Sequence, residues 1–394
     1  MSDRSTGRVR AGRRRAAAAA VAVVALVAAG CSSDGGGDGS AFSVVTWNAG
    51  LADGFVDFVA ERTASAAEAV ADLDADVVFV QEVWQPEAVE AMTGSAGERF
   101  PHTAFLDPLP EDEGEAATVE VACGGDEAVP LEECARANCT GVPADQLADC
   151  VLGSCAVEFG ATCPTCQACL AANVGSTIDD AVAACTQGGA SYSYEGSFGI
   201  GFMSSEAFVE EDSLVLDSNL TRRAVLYVQI DDPALGPVHL FGTHLSPVFS
   251  SVPYPGEGTW EEEQAAQIAA MRDWIESKAG DEGPIVLLGD FNTGPEGAQY
   301  VAEAPENYDA LVADGWRNAY ADRDDGECTF CEDNALVGGD GEDGLLIDHI
   351  LVLRFDGTVE IERILDDEIE IDTADGTVTT ARSDHYGLAA VLSG

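Results

Sequence analysis

Acid, amide and imidazole side chains follow strongly apolar stretches at several places in this sequence. They are Asn48 after VVTW, Glu82 after VVFVQ, His244 after LFGT, Asp290 and Asn292 after IVLLG, Asp348 within LLIDHILV, and Asp384 with His385 before YGLAAVL. A single pair such as Asp290 and Asn292 is typical of a capped turn, but capping does not explain so many polar strand ends. Carboxylates suit Mg²⁺, and histidines beside carboxylates suit proton transfer. The set predicts one site for metal-assisted hydrolysis.

Strands must bring these side chains together. Segments with strand character cover residues 42–47, 76–80, 198–205, 223–230, 238–245, 285–288, 345–353, 358–364 and 383–392. Because successive strand residues alternate faces, Asp290 and Asn292, two residues apart on one strand, are expected to point the same way.

Helical patterns cover residues 55–73, 86–93 and 308–313, and Thr259 with Glu262 forms a capping box that opens a helix to about residue 279. Strands and helices alternate early, whereas later strands follow one another directly. The predicted fold is α+β: a four-layer sandwich of two mixed sheets packed face to face, with helices outside. G-x-G-x-x-G, P-loop and G-x-S-x-G motifs are absent from the sequence.

A cysteine-rich stretch interrupts this pattern at about residues 110–190, with nine cysteines between positions 123 and 185. CARANC (134–139) and CVLGSC (150–155) repeat a C-x4-C unit, which predicts helical hairpins joined by disulfides. CPTCQAC (163–169) permits a zinc site, but the segment has no histidine, so disulfides are favoured. We treat the stretch as an insertion, predicted to be helical.

The N-terminus has the pattern of an export signal. Six arginines precede the apolar segment 16–30, and Cys31 follows at once. Residues 1–31 are interpreted as a signal peptide with a lipobox-like cysteine, residues 32–41 as a flexible linker, and 42–394 as one catalytic domain containing the insertion. Ala28 stands where the lipobox of bacterial lipoproteins prefers Leu, so two outcomes stay open: lipid attachment at Cys31 or secretion.

The charge limits the partners. Without residues 1–30 the chain has 12 basic and 70 acidic residues, a net charge of −58. Such a surface repels polyanions, which disfavours binding of long nucleic acids through basic patches. No protein partner is indicated.

Six motifs together carry a family resemblance. TWN (46–48), VQEVW (80–84), GTHLSP (242–247), LLGDFNTGP (287–295), IDHILV (347–352) and SDHYGLAAV (383–391) occur in this order. They resemble the endonuclease/exonuclease/phosphatase superfamily, which includes deoxyribonuclease-like nucleases, neutral sphingomyelinases and inositol-phosphate phosphatases. The resemblance covers residues 42–107 and 190–394.

The resemblance implies a metal site and a water-activating group. Asn48, Glu82 and Asp384 would hold the metal, which would be Mg²⁺, with Mn²⁺ and Ca²⁺ as alternatives. Asp290 would orient or deprotonate the attacking water, and Asn292 would donate its amide N–H to a phosphate oxygen.

The resemblance also assigns the histidines. His385 would contact the phosphate as acid or base, held by Asp348, and His244 would be a general acid. Glu195 is the candidate acidic partner of His244. His349 is interpreted as structural.

Arg222 and Arg223, the only basic pair after residue 30, are candidate phosphate ligands, although a solvated strand start explains them equally well.

Three functions stay open. Two histidines facing one phosphate favour a phosphodiester, and the charge, the predicted tether and the apolar loop 246–256 slightly favour a lipid head group such as that of sphingomyelin. The alternative is a secreted endonuclease or deoxyribonuclease. A non-catalytic surface binding module is the third.

Overall fold

The structure is a computed structural model that describes residues 41–106, 121–124, 126, 128–142, 147–173, 176–187, 192–249, 252, 254–255, 257–280, 282–323, 326–337, 344–374 and 376–394. The predicted signal peptide, the linker except its last residue, and Cys31 lie outside the described residues.

The first sheet has six strands, two of which run parallel. The strands are β1 (Ala41–Leu51), β2 (Val77–Val83), β3 (His102–Phe105), β4 (Gly201–Ser204), β11 (Thr358–Ile364) and β14 (Gly387–Ser393), in the spatial order β11-β14-β1-β2-β4-β3. β1 and β2 are parallel, and the other pairings are antiparallel.

The second sheet also has six strands. They are β5 (Glu210–Leu216), β6 (Arg223–Asp232), β7 (Gly236–His244), β8 (Ile285–Asp290), β9 (Arg317–Asn318) and β10 (Asp348–Leu353), in the order β5-β6-β7-β8-β10-β9. β7 and β8 are parallel. A separate hairpin joins β12 (Glu368–Thr373) to β13 (Gly376–Ala381).

Apolar side chains from the facing sides of both sheets form one core. Phe79 of β2 packs on Phe202 of β4 with ring centroids 4.6 Å apart, and Leu240 and Leu288 join the same cluster from the second sheet. Gly242 lets the sheets approach: a Cβ there would lie 2.3 Å from the Phe79 ring. The alternation of apolar residues thus produces the predicted face-to-face packing.

Helices cover the outer faces. α1 (Val59–Ala71) and α2 (Pro86–Ala96) pack on the first sheet, and α8 (Trp260–Lys278) and α9 (Pro305–Leu311) pack on the second. Thr259 caps α8 by accepting the Glu262 N–H, as predicted. The four-layer α+β sandwich is therefore confirmed. The helix predicted from residue 55 begins later because Phe58 adopts a left-handed conformation at its N-cap.

The cysteine-rich insertion is helical, as predicted. Its helices are α3 (Val129–Asn138), α4 (Leu147–Ser154), α5 (Ala156–Phe159), α6 (Pro164–Ala172) and α7 (Ile178–Gln187). Eight of its nine cysteines form the disulfides Cys123–Cys166, Cys134–Cys155, Cys139–Cys150 and Cys169–Cys185.

The pairing decides between the two interpretations of the cysteines. Two disulfides join the C-x4-C unit at Cys134 and Cys139 to the unit at Cys150 and Cys155, which confirms the stapled hairpin. Cys166 and Cys169 belong to two different disulfides, so the zinc interpretation of CPTCQAC is wrong. Cys328 and Cys331 form a fifth disulfide outside the insertion.

Candidate active site

Strand register places Asp290 at the centre of the polar cluster. It is the last residue of β8, and its neighbours in the sheet are His244 at the end of β7 and Asp348 at the start of β10. The first sheet reaches the same point, because Asn48 of β1 donates its Nδ2–H to Asp290 Oδ2 at 2.9 Å. One carboxylate is thus contacted from both sheets.

Asp348 and His385 form a buried acid–imidazole pair. Nδ1 of His385 lies 2.9 Å from Oδ2 of Asp348, and its Nε2 lies 3.8 Å from Oδ2 of Asp290. Burial by itself would lower the pKa of His385, but the carboxylates of Asp348, Asp290 and Asp384 outweigh it and raise the pKa well above the usual value. The imidazole is therefore charged at neutral pH, and its Nε2–H faces the cluster.

His244 approaches Asp290 from the other side. Its Nε2 lies 3.5 Å from Asp290 Oδ2 and 3.9 Å from Glu82 Oε1. Burial, then the charges of Arg223 and His385, lower its pKa well below the usual value, so the ring is neutral in the free protein.

The expected partner of His244 does not reach it. Glu195 is exposed, and within the described ranges no hydrogen bond or ion pair joins it to His244. Nδ1 of His244 is buried without a hydrogen-bond partner among the described groups.

Glu82 and Asp384 provide oxygen ligands next to these histidines. Burial, followed by the nearby Asp384 carboxylate, raises the pKa of Glu82 to about 7. Gly50 has φ +55°, and a Cβ there would lie 2.3 Å from Asp384 Oδ1, so a glycine keeps this space open. Crowded carboxylates and the amide oxygen of Asn48 form a hard donor set that fits a divalent cation such as Mg²⁺.

Another group, on the Asp290 side, has ligand atoms close enough together to hold a metal ion. Asp290, Asp348 and His385 offer ligand atoms that all lie within 4.8 Å of one another. Because Asp348 and His385 already bond to each other directly, we interpret this group as the proton-transfer centre and Glu82 with Asp384 as the metal side.

Asn292 lies near the centre, but not by strand alternation. β8 ends at Asp290, and Asn292 follows in a left-handed conformation with φ 50°. Its backbone N–H donates to Asp290 Oδ1 at 2.9 Å, and its side-chain Nδ2 donates to the Leu245 carbonyl at 2.9 Å. The expectation that both residues share one face of a continuing strand was wrong; a turn positions Asn292 instead.

The two adjacent arginines, Arg222 and Arg223, have different surroundings. Arg223 is buried, lies over the Trp84 ring at 5.8 Å, and has Nε and Nη1 without partners in the part of the chain that the structure describes. Burial lowers its pKa to about 10, although Glu82 and Asp290 act in the opposite direction. Arg222 instead lies over the rings of Tyr192 and Phe198 at 4.9 and 5.8 Å. Arg223 is thus electrostatically coupled to the site carboxylates, whereas the contacts of Arg222 are with aromatic rings.

Sequence reasoning missed three residues that shape the site. Trp84 lies 6.1 Å from the His244 ring and stacks on Tyr194 at 4.7 Å. Arg62, fully buried, donates to the carbonyls of Asp57, Ala49, Gly50 and Arg382. It thereby ties the exit of β1 to the segment before Asp384. The sequence signal that could have identified Arg62 was a lone arginine in an alanine-rich helix.

Fold and site together define the class of protein: a hydrolase in which carboxylates and histidines gather where two β-sheets meet. A family model described as Endonuclease/Exonuclease/phosphatase family matches residues 45–385. The chain belongs to this family, whose members are metal-dependent phosphoesterases and nucleases, and it is an enzyme.

Solved structures share the fold at low sequence identity. Sphingomyelinase C from Streptomyces griseocarneus is 16% identical with TM-score 0.53, and the match covers 90% of this chain and 100% of that one. A mutant of beta toxin from Staphylococcus aureus with bound magnesium ions is 13% identical with TM-score 0.54, covering 90% and 100%. A mannosyl-6-phosphatase from Bacteroides thetaiotaomicron is 14% identical with TM-score 0.50, again covering 90% and 100%. Comparison with curated proteins gave no match.

Among the described helices, none has the length and apolar character needed to cross a bilayer.

Proposed function

We propose that this enzyme is an exported, divalent-metal-dependent phosphodiester hydrolase whose substrate has a lipid-type head group. One observation carries the proposal. Oδ2 of Asp290 has His244 Nε2 at 3.5 Å, His385 Nε2 at 3.8 Å and the Asn48 amide at 2.9 Å. Two imidazoles on opposite sides of a carboxylate suit an ester with a leaving oxygen that needs a proton.

Asp290 is the proposed acceptor of the proton from the attacking water. Burial, and then the Asp348 charge, raise its pKa to about 6, so it is ionised at neutral pH yet basic enough to take a proton. The Asn48 amide and the Asn292 N–H hold its two oxygens.

The remaining side chains would bind the phosphate and the leaving group. Charged His385 and the two unpartnered N–H groups of Arg223 are donors for phosphate oxygens, with the free amide N–H of Asn292 as another. His244 is placed to give a proton to the leaving oxygen once the phosphate anion raises its pKa.

A divalent metal would be held by Glu82, Asp384 and the Asn48 oxygen, and when bound it neutralises phosphate charge. Its identity as Mg²⁺ is part of the proposal. The hard oxygen donors support it, as does the pKa of Glu82, which burial and then the nearby Asp384 and Asp290 carboxylates raise.

A lipid-type substrate is favoured over nucleic acid by charge. Among the described residues, the buried arginines coupled to the site carboxylates are Arg223 and Arg62, and the guanidinium of Arg62 already donates to four backbone carbonyls. The chain after residue 30 carries a net charge of −58. A nuclease needs a basic track for several phosphates. The structural similarity to a sphingomyelinase C agrees with this preference.

The loop 246–256 does not support the preference in the way expected. Its apolar side chains Phe249 and Tyr254 pack against Trp260, with ring centroids 5.1 and 5.0 Å away. These side chains are half-buried rather than free to enter a membrane. The five disulfides support residence outside the cytoplasm. Attachment through Cys31 stays part of the proposal.

Assays on sphingomyelin, plasmid DNA and bis-p-nitrophenyl phosphate with Mg²⁺ test the function. We expect diester hydrolysis that chelation abolishes, with sphingomyelin preferred to DNA. Asp290→Asn should lower kcat by at least about 10²-fold, whereas Asp309→Asn, an exposed acid on α9, is the control and should match wild type. Hydrolysis that survives chelation, or a fully active Asp290→Asn variant, would refute the proposal. Preferential DNA cleavage would select the nuclease.

A further inference from the structure

An apolar cavity lies between the insertion and two loops that leave the active-site strands. Its volume is about 340 Å³, at the small end of the range of ligand pockets. The insertion contributes Leu131, Val151, Leu152 and Ile178, and the main domain contributes Phe55 and Phe249. We call this space the insertion cavity.

Its chemistry selects an uncharged ligand. Of the 20 lining residues that belong to the described part of the chain, only Asp57 and Glu132 are charged, and both are acidic. These acids would repel a phosphate group, whereas Arg223 and His385 offer hydrogen-bond donors to it in the catalytic centre. The cavity therefore suits an aliphatic chain and excludes the anionic part of the same molecule.

Three contacts between side chains and backbone link the catalytic centre to the wall of the cavity. The His244 ring lies 6.1 Å from Trp84, Trp84 stacks on Tyr194 at 4.7 Å, and Tyr194 Oη donates to the Asp53 carbonyl at 3.1 Å. Gly54 and Phe55, the next residues, line the cavity. On the other side Phe249 follows His244 by five residues along the same loop.

Part of the apolar lining is exposed. Phe55 and Leu152, which line the cavity, are two of the nine large hydrophobic residues exposed within the described ranges.

From these observations we infer that the insertion cavity binds an aliphatic chain of the substrate while its phosphodiester occupies the catalytic centre. The inference rests on the proposed function and adds the substrate class: a phosphodiester with an attached alkyl chain. The disulfide-stapled helices would then act as a specificity element, because they form most of the wall.

A chain-length series tests this directly. Alkyl p-nitrophenyl phosphates, from methyl to octyl, report hydrolysis with one leaving group. Each methylene that the cavity buries should raise kcat/KM by up to about fourfold, so the octyl ester should exceed the methyl ester by at least tenfold. The fluorescent probe 11-(dansylamino)undecanoic acid should bind with an emission increase that octyl phosphate displaces, a readout independent of turnover.

Two exposed aliphatic residues of the insertion give a matched pair. Leu152 lines the cavity and Val157 does not. Leu152→Asp should abolish the chain-length dependence and the probe signal while leaving methyl-ester hydrolysis within about twofold of wild type. Val157→Asp adds the same charge and should behave as wild type. Ala181→Trp, which fills the cavity from α7, should act like Leu152→Asp.

The outcomes separate the inference from the proposed function. Equal kcat/KM for all esters, with metal-dependent hydrolysis intact, would overturn the inference alone; absence of any diester hydrolysis would refute the function. A dimer seen by sedimentation in wild type and lost in Leu152→Asp would assign the cavity to a second copy and overturn the alkyl-chain assignment.

Discussion

Replacing His349 tests its interpretation as a structural histidine against the catalytic role proposed for His385. His349 is fully buried, with Nδ1 2.9 Å from Asn318 Nδ2 and Nε2 2.9 Å from the Thr293 carbonyl. The neutral ring satisfies both contacts by accepting at Nδ1 and donating at Nε2. A proton on Nδ1 would face the amide donor of Asn318. We expect His349→Gln to retain near wild-type kcat and His385→Gln to lose it.

The pKa of His349 gives the magnitude of the stability effect. Burial lowers this pKa to about 4 from 6.5. Between these values the unfolded chain binds more protons than the native protein, so the stability from a neutral His349 is present above pH 6.5 and is lost as pH falls toward 4. One pKa unit corresponds to about 1.4 kcal/mol, which gives a loss of about 3 kcal/mol between pH 7 and pH 4.

Urea unfolding of wild type and His349→Gln from pH 7 to pH 4 measures this effect. Taking the difference in unfolding free energy between the two proteins removes the contribution of the many surface carboxylates. That difference should shrink by about 3 kcal/mol as the pH falls. A difference that stays constant with pH, or a His349→Gln variant as inactive as His385→Gln, would show that the assignment of His349 is wrong.

Three further variants test residues that position the site or stabilise the fold. Asp348→Asn should lower kcat by about 10²–10⁴-fold and move the alkaline limb of the pH–rate profile to lower pH, because its carboxylate helps to raise the pKa of His385; an unchanged profile would contradict this. Arg62→Met should cost at least about 3 kcal/mol in urea unfolding, since four carbonyls lose a buried donor; a change below about 1 kcal/mol would argue against that role. Cys139→Ser with Cys150→Ser opens a bridge of sequence separation 11 and should destabilise the α3–α4 hairpin by about 3 kcal/mol. Amide exchange should then quicken in that hairpin while the two sheets stay protected.

Local patterns in the sequence predicted much of this structure. The apolar runs predicted the strands and the two-sheet packing because buried strands need residues that fill both faces. Thr259 and Glu262 predicted the start of α8, a short-range property of one helical turn. The repeated C-x4-C units predicted a stapled hairpin, and the N-terminal pattern predicts export.

Tertiary structure decided what each polar residue contacts. Strand register places His244 and Asp348 on either side of Asp290, and only the packing of two sheets brings Asn48 to the same oxygen. A left-handed turn, not strand alternation, positions Asn292, because its conformation depends on bonds to Asp290 and Leu245.

Tertiary structure also decided the surroundings of the two arginines and the position of the insertion cavity. Arg222 and Arg223 are neighbours in sequence and indistinguishable there, yet Arg222 lies over two aromatic rings while Arg223 is coupled to the site carboxylates. The sequence by itself determined which residue types are available, where the strands run and that the cysteines cross-link helices. Burial, register and long-range contacts determined their protonation, their partners and the position of the insertion cavity, since these depend on groups far apart in the chain.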